Sequence, residues 1–260
     1  EAELTNRIDS GTVCLRLAGE SNELLAQCLS AGLLPNTVAN DSEGSMSGDD
    51  WGFGFNLGLL YQFNATDRIG LAYRYEVAQT LEGEGEFSVN PALRSFLDSI
   101  GQTTLFTNTG VTAAADMPAS ASVSGVFALN QQLTLLADIT WTGWSSFQEL
   151  RVVFDNPIQP DSVTEESWDD SMRYALGLNY RQKSRIWRMG IAYDETPIPD
   201  PQRRTPRIPG NDRTWLAFGV GLPVFDSLWL DLGYAHLFVD DTPIDHTDQN
   251  GYALRGIYQA

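Results

Sequence analysis

Arg74, Glu76, Asp138, Arg173, Arg188, Asp194, Asp231 and Arg255 sit at alternating positions in stretches whose other alternate positions are apolar. Two kinds of chemistry are open to such a set. A guanidinium grips a carboxylate through two parallel hydrogen bonds and keeps its charge at any physiological pH. Arginines facing aspartates and glutamates also brace one another as structural ion pairs. Bracing is the preferred reading for most of the set. Arg173 and Arg188 remain candidate substrate contacts, and Arg74 is read as a ligand contact. Nothing suggests covalent chemistry: His236 and His246 lie near one loop, and neither has a nucleophile to serve. No enzyme activity is expected. Asp169, Asp170, Asp240, Asp241, Asp245 and Asp248 offer oxygen ligands for Ca²⁺, but their spacing matches no calcium loop. They read as solvated charge, and no metal or cofactor is expected.

The elements that position these side chains start with the stretch Trp51–Tyr75. Trp51, Phe53, Phe55, Leu57, Leu59 and Tyr61 occupy every odd position, and Gly52, Gly54, Asn56 and Gly58 fall between them. A turn near Asn64–Asp67 leads to Ile69, Leu71, Tyr73, Tyr75 and Val77, alternating with Gly70, Ala72, Arg74 and Glu76. A period of two is a β-strand with one apolar and one open face. Here the apolar faces are long and edged by aromatics, while the others carry glycine and charge. That suits a wall with lipid on one side and a narrow lumen on the other.

The chain of 260 residues carries a net charge of −18, which argues against a nucleic-acid partner, since little would neutralise phosphates. No apolar run approaches the roughly 18–20 residues of a membrane-spanning helix, but barrel strands need only about 9–11 alternating residues. No signal peptide is visible, so a mature or trimmed chain is expected. The only two cysteines, Cys14 and Cys28, share one non-strand segment. They are disulfide candidates for an oxidising compartment, the alternative being two free thiols.

Residues 1–50 read as a polar stretch followed by a helical face of Leu24, Leu25, Cys28 and Leu29, stopped at Gly32, and then an acidic loop over Asp41–Asp50. A long excursion, Thr80–Met117, opens with the acidic run Glu82–Glu86. Within it Asn90 and Pro91 predict a helix start, with Leu93, Phe96, Leu97 and Ile100 as one apolar stripe. Further strands are expected at 119–129, 133–143, 171–181, 187–194, 214–222, 228–238 and 251–258, with Pro197–Arg213 and Val239–Gln249 as loops. Short turns alternate with long loops, the layout of an outer-membrane barrel. About nine spanning strands are expected, in a single barrel domain over 1–260 that is incomplete at both ends; residues 9–50 and 80–117 are expected to be extracellular loops with short helices. Trp51, Trp144 and Phe238 should mark one aromatic girdle, and Tyr61, Tyr180, Trp187 and Phe225 the other.

The blocks GDDWGFGFNLGLLYQ (Gly48–Gln62), RIGLAYRYEV (Arg68–Val77), TWTGWSSFQEL (Thr140–Leu150), WDDSMRYALGLNY (Trp168–Tyr180), MGIAYDETPIPD (Met189–Asp200) and RIPGNDRTWLAFG (Arg207–Gly219) resemble, in order, the FadL family. The resemblance implies an all-β, antiparallel transmembrane barrel, 14-stranded in the family, of which this chain would hold the last nine strands. The family's plug and early strands would lie outside this sequence. It further implies passive uptake of hydrophobic molecules, foremost long-chain fatty acids, with aromatic hydrocarbons as the alternative cargo. The expected partners are those molecules, outer-membrane lipid and lipopolysaccharide, around a monomer. The stripes Leu24, Leu25, Leu29 and Leu93, Phe96, Leu97, Ile100 fall where the family's loops form an apolar capture groove; the alternative is packing within the loops. Two other classes compete on the residues alone. A water-filled porin would line its lumen with charge, whereas this open face is rich in Gly and Ala. A purely structural or adhesive barrel would not need apolar loop helices.

Overall fold

The computed structural model describes residues 2–225, 227–247 and 253–259. In chain order the elements begin with β1 (Ala2–Ile8), α1 (Ser10–Ala18), α2 (Asn22–Ser30), β2 (Ser42–Asp49), β3 (Asn56–Gln62) and β4 (Arg68–Arg74). There follow β5 (Thr80–Ser88), α3 (Pro91–Ser99), β6 (Thr109–Ala114), β7 (Ser120–Ala128), β8 (Leu133–Thr142) and β9 (Glu149–Phe154). The last are β10 (Ser162–Glu165), β11 (Ser171–Gln182), β12 (Arg185–Asp194), β13 (Arg213–Phe225), β14 (Leu228–Val239), β15 (Thr242–Thr247) and β16 (Ala253–Tyr258). They group into two compact units.

The first unit spans Glu1–Trp51, Gln79–Ala115 and Leu150–Val163. Its sheet runs β1-β2-β5-β6-β9-β10. The acidic segments expected as loops at 41–50 and 82–86 are therefore strands. Glu82, Glu84 and Glu86 alternate with Gly83 and Gly85, a period of two with no apolar member to announce it. Gly83 lets the backbones meet: a Cβ there would lie 1.8 Å from the Ser47 carbonyl oxygen. The glutamates share a face with Ser45 and Ser47, while Phe87 packs with Met46 against Val111, Val152 and Phe154 on the other.

The helices of this unit are capped as their sequences dictate. Asn90 accepts from Ala92 N at 2.9 Å with Pro91 in the first turn of α3, and Ser21 accepts from Leu24 N at the start of α2. The additional helix α1, unmarked by an apolar stripe, is capped by Asp9. Cys14 of α1 and Cys28 of α2 form a disulfide with Cα atoms 5.9 Å apart. Around it cluster Leu33, Leu93, Phe96, Leu97 and Leu105, all buried.

The second unit spans Gly52–Ala78, Asp116–Glu149 and Thr164–Ala260. An antiparallel eight-stranded sheet, ordered β14-β13-β12-β11-β8-β7-β4-β3, dominates it. Three elements differ from the expected strands. Trp51–Phe55 is not regular strand, although Phe55 still accepts from Tyr75 N at 3.0 Å and the two rings stack with centroids 5.0 Å apart. The acidic stretch after β14 forms β15, which pairs with β16 in a separate two-stranded sheet, so β16 is not a member of the large one. Arg255 pairs with Asp245 across it at 2.7 Å. Gly251 and Asp248, expected in the last strand and its acidic loop, lie outside the described residues.

The register sorts the large sheet into two faces. Tyr174, Leu176 and Leu178 stand opposite Tyr193, Ile191 and Met189, which stand opposite Thr214, Leu216 and Phe218. On this apolar face Leu176 is 55% exposed, Ile191 50%, Phe218 55% and Tyr234 65%. A soluble domain does not leave so continuous an apolar sheet face in water. No helix among the described residues is long and apolar enough to cross a membrane, a test that is silent on strands. Tyr61, Tyr180, Trp187 and Phe225 all stand beside the short turns and are exposed. Trp144 packs edge-on against buried Trp168, 5.1 Å between centroids.

Candidate functional site

The opposite face of the eight-stranded sheet holds the site. Pairing aligns its side chains in rows across the strands. One row runs Ser122, Thr140, Arg173, Asp194, Arg213; the next runs Ser124, Asp138, Ala175, Ala192, Trp215, Leu237. A third runs Val126, Leu136, Gly177, Gly190, Ala217, Ala235. Small residues thus stack on β11, β12 and β13 and sink the middle of the face. The result is a hollow of about 390 Å³ floored by Ala175, Gly177, Gly190, Ala192 and Ala217 and walled by Val126, Leu136 and Trp215. Its polar end is Asp138 and Arg173. A second hollow of about 650 Å³ shares Gly190 and Ala217 with the first and ends at Arg188 and Asp231. Together they make one apolar furrow with an ion pair at each end.

The two pairs differ in grip. Arg188 donates to Asp231 at 2.6 Å, a tight charge-assisted contact. Arg173 lies 3.8 Å from Asp138, beyond hydrogen-bond range, and Asp138 instead accepts from Thr140 Oγ1 at 3.0 Å. Both arginines remain partly exposed toward the furrow, so each pair contributes little to stability. Arg74 lines neither hollow. Its Nε donates to Asn56 Oδ1 at 3.1 Å near the β3 edge of the sheet. Of the three candidate arginines, the structure brings Arg173 and Arg188 to one furrow and sets Arg74 apart.

The apolar candidates belong to the first unit. Leu93 and Leu97 are fully buried, Phe96 is 5% exposed, and Ile100, Leu24 and Leu25 pack partly buried against them. Leu29 alone among them faces outward, at 56% exposure.

Residues that sequence reasoning passed over hold the loops of the second unit. Arg204, 4% exposed, donates to the carbonyls of Gly210 and Pro243, both at 2.9 Å, and so ties the proline-rich loop to β15. Arg203 pairs with Glu165. Glu166 is buried and accepts from Trp168 Nε1 at 2.9 Å. Burial pushes its carboxyl above the usual range, opposed by that hydrogen bond and by the charges of His246 and Arg207. Asp170, a conceivable cation ligand by composition, is committed to Trp141 Nε1 and Ser145 N, each at 3.0 Å. Trp215 also escaped notice. Its signal was present: a tryptophan on the small-residue parity of a strand whose large residues, Leu216 and Phe218, lie on the other.

A profile of the family described as "Outer membrane protein transport protein (OMPP1/FadL/TodX)" matches residues 7–260. The chain belongs to this family. It is 33% identical over 231 residues to a long-chain fatty acid transport protein of Escherichia coli O6:H1, covering 85% of this chain and 51% of that protein. It is 35% identical over 213 residues to a 47 kDa outer membrane protein of Pasteurella multocida, covering 80% and 47%. The chain therefore spans about half the length of these relatives. Among solved structures, a FadL homologue of Pseudomonas aeruginosa superposes with a TM-score of 0.78 at 24% identity, over 98% of this chain and 58% of that one. The Ralstonia pickettii toluene transporter TbuX superposes at 0.51 with 22% identity, over 78% and 46%. The eight-stranded sheet is thus part of a FadL-type outer-membrane β-barrel. In barrels of this kind the strands alternate between an apolar side toward lipid and a small or polar side toward the lumen.

Proposed function

We propose that the furrow is one wall of a channel that admits hydrophobic molecules passively through the outer membrane, with long-chain fatty acids as cargo. The observation that carries this reading is the composition of the furrow: an apolar trough floored by Ala and Gly, with an arginine at each end. A slender chain is covered by the small residues, and a guanidinium answers the carboxylate head. The relative named for long-chain fatty acid transport supports the same cargo. Aromatic hydrocarbons are the second reading, supported by the fold shared with toluene transporters. A water-filled porin fits less well, because the furrow is floored by Ala and Gly and its charges stand at its two ends.

The expected topology follows. The strands meet lipid, the barrel acts as a monomer, and segments 9–50 and 80–117 face lipopolysaccharide on the outside. Leu29 is the part of the expected capture surface that is open to a solute. No enzymatic step is invoked, since the channel needs only a downhill gradient. The test is uptake by the full-length protein in proteoliposomes. Labelled palmitate should enter and be competed by other long-chain acids, while sugars should cause no swelling. Entry of toluene without entry of palmitate would replace the cargo. Sugar-driven swelling would make the protein a porin.

A further inference from the structure

We propose that Trp215 donates its indole N–H to a ligand carboxylate and, with Arg173, forms a head-group subsite that selects fatty acids over hydrocarbons. The inference deepens the channel reading above and rests on it. Among the described residues, Trp215 Nε1 is shut off from water and has no hydrogen-bond partner. An indole nitrogen only donates, so an acceptor must be brought to it. Buried donors are rarely left unpaired, because the full desolvation penalty then stands uncompensated.

The surroundings show where that acceptor would come from. Trp215 walls the first hollow, whose floor beside it is Ala192, Ala217 and Gly190, side chains with no acceptor to give. Arg173 lies in the same hollow, two strands away and one row along. With strand spacings of about 4.8 Å and two residues of rise, the two Cα atoms stand roughly 12 Å apart. Both side chains are long enough to converge from that separation on one small anion.

Arg173 is also free to take part. Its contact with Asp138 is long at 3.8 Å, and Asp138 keeps the Thr140 hydroxyl whatever Arg173 does. A guanidinium carries five N–H donors, enough to serve Asp138 and a ligand carboxylate together and so to screen one anion from the other. Because Nε1 is buried as it stands, the subsite requires the indole ring to turn that edge into the hollow when the ligand arrives. The subsite would discriminate by chemistry alone. A carboxylate satisfies the orphaned N–H, whereas hexadecane or toluene leaves it unpaired.

The experiment uses the full-length protein in nanodiscs with palmitate, hexadecane and toluene as probes. In the protein labelled with ¹⁵N-indole, palmitate should move the Trp215 Nε1–H resonance downfield, and hexadecane should not. Trp215→Phe keeps the ring and loses the N–H. It should weaken palmitate binding roughly tenfold or more, the scale of a hydrogen bond to a charged group, and leave hexadecane within about twofold. Trp215→His, which retains a ring N–H, should restore part of the loss. Heat-modifiable migration on gels reports whether each variant still folds. A resonance unmoved by palmitate, or one already hydrogen-bonded before palmitate is added, overturns the proposal. So does an unchanged palmitate-to-hexadecane ratio in Trp215→Phe. If the unmutated protein binds toluene and no palmitate, the fatty-acid reading itself fails. If palmitate binds both proteins equally, only the role of Trp215 fails.

Discussion

Changing Leu93, Phe96 and Leu97 together to serine should unfold the helical part of the first unit. All three lie at or below 5% exposure in the cluster around the Cys14–Cys28 disulfide. Truncating one buried leucine to alanine costs about 2–5 kcal/mol, and a phenylalanine about 3–5. Serine adds a buried hydroxyl to each cavity, so the sum exceeds what a small compact unit commands. The disulfide would still tether α1 to α2 but cannot supply the lost packing. Hydrogen exchange should show the amides of 10–30 and 91–99 losing protection together. A triple variant with full protection would place these side chains in a surface stripe rather than a core.

The second large effect belongs to the furrow. Gly190→Phe should reduce uptake of palmitate roughly tenfold or more, because both hollows share this residue and a ligand must be largely enclosed to bind. The backbone tolerates the change: a Cβ at 190 meets nothing nearer than the Leu176 carbonyl oxygen at 3.6 Å. A ring built there projects into the furrow. Ile191→Phe is the matching control, since the next residue of a strand points to the opposite face and here joins the apolar band. It should leave uptake unchanged. Equal loss in both variants would mean a general defect of the sheet, and loss in neither would empty the furrow of function.

What the sequence revealed and what it hid have a common physical origin. The strands from 120 onward were legible because their large apolar and small residues alternate strictly, as in Met189, Ile191 and Tyr193 against Gly190 and Ala192. α3 was legible because Asn90 and Pro91 mark its start in residue types that only caps favour. β2 and β5 were not, because Glu alternating with Gly, and Ser with Gly, read as solvated loop when the apolar positions are as few as Met46 in one and Leu81 and Phe87 in the other. The furrow was hidden for another reason. It is made by Ala175, Gly190 and Ala217 lying side by side, and adjacency across strands depends on register, which one strand's pattern does not carry. Arg173 and Arg188 were singled out by parity, and only the paired strands disclose that they end the same trough while Arg74 does not.

The central claim, that one face of this sheet meets lipid and the other lines a passage for fatty acids, is tested most directly by two single cysteines. The native pair is bridged, which leaves no free thiol among the described residues to confuse the labelling. In the full-length protein, reconstituted in membranes, Gly190→Cys should react with a water-soluble maleimide, and palmitate should protect it. Ile191→Cys should resist that reagent, react with a lipid-soluble one, and ignore palmitate. Equal aqueous labelling of both positions, or no protection of position 190 by palmitate, would contradict the account.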